Sequence, residues 1–126
     1  MNLALWIAAG LLTGVALLGG LTKTLLPRER IAAAPGGGWT ADVSEGFVRS
    51  LGVLEILAAV GLVVPALVGI APVMVPVTAV CWVLLMIGAM ITHARHDDGV
   101  RFLLGNLTYL VIAAFIALGR FGLAPF

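Results

Sequence analysis

Glu55 is the residue on which any chemistry would turn. It interrupts an otherwise apolar stretch, Val53-Leu54-Glu55-Ile56-Leu57, roughly 13–14 Å along a helix that starts near Gly46, at about 1.5 Å per residue. A carboxylate that deep in an apolar segment is costly unless it is paired, protonated or turned toward water. Paired, it locks two helices together; otherwise it can relay protons or hold a ligand. Lys23 stands just before the Pro27 break, and its ammonium can fold back toward the interior. Arg49 precedes Glu55 but is offset by roughly 240° around a helix, so only its long side chain could bridge the gap and Glu45 at i−4 is the more natural partner. The expected cluster has Lys23 and Arg49 neutralising Glu55, with His93 facing the same cavity. Gly52 and Ala59, at i−3 and i+4, keep the Glu55 face small and suited to a helix-bundle interior.

The remaining polar residues extend this set. His93 and His96 have the i, i+3 spacing of two metal ligands beside Asp97 and Asp98. The chain has no third histidine and a single cysteine, Cys81, so no metal site is read from them. His93 reads as a hydrogen-bonded group at the membrane boundary, with proton transfer or quinone headgroup binding as its chemical alternatives. Asn106 reads as a bond across helices, worth about 1 kcal/mol in lipid. Met86 and Met90 read as packing, and Cys81 as a small buried hydrophobe. The candidate cluster is therefore Lys23, Arg49, Glu55, His93 and Asn106. No Gly-x-Ser-x-Gly, Gly-x-x-x-x-Gly-Lys or Cys-x-x-Cys occurs, which argues against a self-sufficient enzyme of a familiar kind.

The elements that must position these residues are four apolar segments, about 3–26, 46–64, 71–93 and 102–120. Crossing about 30 Å of hydrocarbon takes about 20 helical residues. Charged residues make up 10% of the chain, against about 25% in soluble domains. The expectation is an all-α, four-helix transmembrane bundle whose surroundings are the lipid bilayer. A net charge of +1 without a basic tract points away from nucleic acid. The first segment is read as a retained helix rather than a signal peptide, being too long and lacking a preceding Lys or Arg. Pro65 is expected to end the second helix, Pro72 to start the third and Pro76 to kink its first turn. Asp42 or Ser44 is the expected cap of the second helix. Lys23, Arg28, Arg30, Arg49, Arg95 and Arg101 lie in or beside two loops, with only Arg120 opposite. The charged loops are therefore expected in the cytoplasm and both termini outside. Gly10 and Gly14 form a small-xxx-small pair, a potential seam with another helix or another copy.

In order along the chain, several motifs resemble those of the DoxX-like family. They are Gly20-Leu21-Thr22-Lys23, the Arg49-x-x-Gly52-x-x-Glu55 stretch, Gly61-Leu62-Val63-Val64-Pro65, Gly88-Ala89-Met90-Ile91-Thr92-His93, and Arg120 near the end of the last helix. The resemblance covers nearly the whole chain, 1–126, as one domain. It implies a bacterial inner-membrane protein working as an accessory subunit, or as a small-molecule (quinone) binding component, of a membrane redox system, with a membrane or peripheral redox protein as partner. Lys23, Arg49, Glu55 and His93 carry over as motif positions. The Pro35-Gly36-Gly37-Gly38 insertion departs from a compact first loop. The rival classes are a structural, partner-binding oligomer and a small transporter, the latter disfavoured because four helices with few polar residues enclose little lumen.

Overall fold

The computed structural model describes residues 1–126 and contains only helices and their connections. The spanning helices are α1 (Asn2–Leu25), α3 (Glu45–Val68), α4 (Met74–Arg95) and α5 (Val100–Leu118), the last widening into a π turn over Gly119–Leu123. All four are long and apolar enough to cross a membrane. The first connection carries two structured pieces that the sequence reading left as loop, the short helix α2 (Arg28–Ala33) and a 3-10 turn at Gly38–Asp42.

Local chemistry sets the ends. Leu26 is extended because Pro27 follows it, which stops α1. Ser44, not Asp42, caps α3, accepting from the Phe47 N–H at 3.1 Å. Pro65 does not end α3 as expected. The proline costs the N–H bond to the carbonyl four residues before it, yet the helix runs on to Val68 and closes on Gly69 at φ 70°, with Ile70 N–H donating to Pro65 O. In α4, which begins at Met74 rather than Pro72, Pro76 is the third residue. A helix leaves that N–H without a partner in any case, so the ring is accommodated there.

The spans alternate in direction and form a ring in which α1 packs on α3, α3 on α4, α4 on α5 and α5 on α1. The core is not evenly filled. Small and medium side chains interdigitate in one half: Ala8, Ala9, Leu12 and Ala16 of α1, Ala59 and Leu62 of α3, Val75 and Ala79 of α4, and Ala113, Ile116 and Ala117 of α5. Trp82, at 2% exposure, is followed one turn on by the last member on the α4 side, Met86 at 5%. Beyond it, toward the charged loops, the ring opens into a cavity. Large apolar side chains face outward all round, Leu18 being 71% and Leu84 63% exposed, as a lipid solvent requires.

One expectation about small residues is corrected, and a second is confined to contacts outside the bundle. Cys81 lies on the outer, lipid-facing surface rather than in the core, because its neighbour Trp82 takes the inward direction. Gly10 and Gly14 also face outward, with nothing within 4 Å of a Cβ at either. The close helix approach is instead between Gly20 and Gly52. A Cβ on Gly20 would lie 2.8 Å from Gly52 O and 3.0 Å from Ile56 N, and one on Gly52 would lie 2.9 Å from Gly20 O.

A buried ion pair in an interhelical cavity

The cavity holds about 620 Å³ and draws on all four spans. Val15, Gly19 and Lys23 come from α1, spaced by four so that they share one face. Phe47, Leu51 and Glu55 repeat that spacing on α3. Trp82, Met86, Ala89 and His93 come from α4, and Asn106 and Tyr109 from α5. Trp39, Asp42 and Val43 of the first connection cover the end toward the loops.

Lys23 Nζ lies 2.8 Å from Glu55 Oε2. Glu55 is 6% exposed. Its other oxygen rests against Gly19, where a Cβ would come within 2.8 Å of Oε1. The missing side chain at Gly19, one turn before Lys23, is what lets the carboxylate lie flat on α1. At that distance the ammonium gives the buried Oε2 both a counter-charge and a donor. Trp82 is the unsatisfied group, since its Nε1–H is buried with no acceptor. A buried polar group left without a partner costs about 1–3 kcal/mol.

Of the five candidates, Lys23, Glu55, His93 and Asn106 line this cavity and Arg49 does not. Arg49 Nη2 pairs with Glu45 Oε1 at 2.9 Å, and Nη1 donates to Thr24 O at the end of α1. It clips α3 to α1 outside the cavity, as the 240° offset requires, and takes no part in neutralising Glu55. His93 Nδ1 lies 2.7 Å from Asp98 Oδ2, and the ring stacks on Phe102 at 5.2 Å. The carboxylate holds the proton on Nδ1 and leaves Nε2 for the cavity. Asn106 faces the cavity beside Tyr109 rather than bonding across to another helix. Trp82 and Gly19 are the residues that sequence reasoning missed. The available signal was a tryptophan in mid-span, away from the interfacial belt where this residue normally sits.

His96 ties the two charged loops together. Its Nε2 lies 2.6 Å from Asp42 Oδ2 and its Nδ1 2.9 Å from Thr92 O. Both ring nitrogens therefore face acceptors, and His93 is engaged by Asp98, so the two histidines are not turned toward a common ion. The Asp42 bond, with help from Thr92 O, holds the His96 pKa above its ordinary value. The link is complete below the ordinary imidazole range and is lost as pH rises through the elevated value. Cleavage of the 38–43 turn by added protease is expected to increase over that rise, and the pH dependence should be absent in His96→Gln. A flat wild-type profile would show that the link does not hold the turn.

A family model for the DoxX-like family matches residues 7–116, a span that takes in every residue lining the cavity. No curated protein and no solved structure matches the chain.

Proposed function

Because the chain belongs to the DoxX-like family of membrane proteins, we propose that it binds a small, uncharged, quinone-class molecule as a component of a membrane redox system. The observation that carries this reading is a buried donor without an acceptor, Trp82 Nε1, in an apolar-walled cavity that also holds the Glu55 carboxylate. Cavities of about 300–1,000 Å³ suit molecules of this size. The Lys23–Glu55 pair has no net charge, so a neutral head group is accommodated without breaking it. Trp82 would donate to a ring carbonyl, Glu55 would accept from a ring hydroxyl, and Lys23 would hold the carboxylate in place. Bound, such a group supplies reversible two-electron, two-proton chemistry, with a membrane or peripheral redox protein as the electron partner. Phe47 and Leu84 line the cavity and are also exposed at the lipid surface, a lateral entrance between α3 and α4 for a lipid-soluble ligand.

Two measurements test this. Solvent extraction and mass spectrometry of the purified protein should recover a quinone-class molecule. Trp82→Phe should then weaken its binding about tenfold, the worth of one such hydrogen bond, while leaving the ligand-free protein no less stable. Unchanged affinity would remove the assignment of Trp82.

We place the protein in a bacterial inner membrane with both charged loops in the cytoplasm, on the six-to-one bias of basic residues; reporter fusions at the two termini report the side directly. A second reading, association of copies, is favoured by the outward face of Gly10 and Gly14. Gly14→Ile should then run as a smaller particle in mild detergent.

A further inference from the structure

At the end of the bundle away from the charged loops, Arg120 sits in the π turn that follows α5. The residue is only 5% exposed. Its Nη1 donates to Asn2 Oδ1 at 2.7 Å and to Ala124 O at 3.0 Å. The guanidinium carbon lies 3.9 Å from the centroid of the Phe126 ring and 5.8 Å from that of Trp6. None of these partners is an anion. The six acidic residues are Glu29, Asp42, Glu45, Asp97 and Asp98, in or beside the charged loops, and Glu55, which is held by Lys23. No Asp or Glu side chain neutralises this guanidinium.

A desolvated cation without a counter-charge is expensive. The remaining guanidinium nitrogens make no hydrogen bond within the chain, yet they are not sealed off. They open on a cavity of about 320 Å³ walled by Pro72, Val73, Pro76, Phe121 and Phe126. A planar fork of N–H donors with free positions, in a pocket of that size, fits the geometry of a phosphate group. We propose that this cavity binds a phosphate group, carried by an anionic phospholipid at that face of the bilayer. The apolar walls and the exposed Val73, Phe121 and Leu123 beside the mouth provide a surface for the acyl chains, which a free anion would not use. The site is separate from the interhelical cavity and does not depend on what binds there.

The test uses the purified full chain in mild detergent, with the melting temperature as readout. Phosphatidylglycerol, the matching diacylglycerol and sodium phosphate are titrated separately. The expected result is a saturable rise with phosphatidylglycerol and none with diacylglycerol. Arg120→Gln should abolish the rise. Asn2→Asp, which sets a carboxylate against the guanidinium, should also abolish it while raising the melting temperature in the absence of lipid, and this variant decides the matter if Arg120→Gln fails to fold. A rise with sodium phosphate alone would keep the phosphate site and assign it to the free anion. Equal rises in wild type and Asn2→Asp, equal rises with phosphatidylglycerol and diacylglycerol, or no rise with either phosphate source would overturn the proposal.

Discussion

Glu55→Leu is expected to destabilise the folded bundle by about 3–5 kcal/mol, the usual cost of removing one partner from a buried ion pair. The cause is the survivor. Lys23 is 22% exposed at its side chain and is paired with no carboxylate other than Glu55. The double replacement Lys23→Met/Glu55→Leu removes both charges and fills similar volume, and should recover most of that loss. Reversible unfolding in mixed micelles measures both. The same pair of variants separates the two roles left open by the sequence. If the ion pair is only a lock, the double variant regains stability and loses nothing else. If it also positions a ligand, the double variant is stable but no longer retains the molecule extracted from wild type. Glu55→Gln adds a milder probe, since the amide keeps an acceptor for Lys23 while losing the charge.

The second large effect is expected at Gly20. A Cβ there would meet the Ile56 side chain at Cγ1, 2.7 Å away, and equally the backbone of α3 at Gly52 O and Ile56 N. Backbone in a packed helix pair cannot yield locally, so Gly20→Ala should cost about 1–3 kcal/mol by overpacking, and Gly20→Val should prevent α1 and α3 from docking. The separation of α1 from α3 would also part Lys23 from Glu55, because Gly20 is less than one turn from Lys23 and Gly52 less than one turn from Glu55. Gly14→Ala is the control. With open space at that position and the better helix propensity of alanine, it should leave the unfolding transition unchanged or shift it slightly upward. Equal losses at Gly14 and Gly20 would show that glycine matters here for backbone flexibility and not for close approach.

Much of the fold was legible along the chain because each signal is local. A span needs a sufficiently long apolar run, and four such runs separated by Pro, Gly and charge can be read without knowing what touches what. The errors at Pro65 and Pro72 have the same origin. A proline reports a missing N–H and a fixed φ, both of which fit on either side of a helix boundary, so the residue alone does not place the end. Glu55 stood out because its environment is predictable from its neighbours in sequence, and Lys23 because its register allowed it to reach inward. Arg49 was expected beside Lys23 against Glu55 although its helical angle argued for Glu45, and the structure places it with Glu45. Trp82 gave only the weak signal of a tryptophan in mid-span, away from the interfacial belt. Its significance lies in an N–H with no acceptor, which depends on the other three helices.

The sequence by itself determined that this is a four-span membrane protein with its charge gathered at one end and one carboxylate stranded in mid-span. Tertiary structure decided which glycines are contacts and which are surface, which of the candidate cations holds Glu55, and that the bundle is solid in one half and hollow in the other. The reason is that hydropathy and helical register are properties of a single helix. Empty space is a property of four helices at once. Whether Ala16, Ala59, Ala79 and Ala113 close a core, or Gly19, Glu55, His93 and Asn106 leave a cavity, depends on the sum of side chains brought to the same level by alternating strands of helix, and no one segment contains that sum.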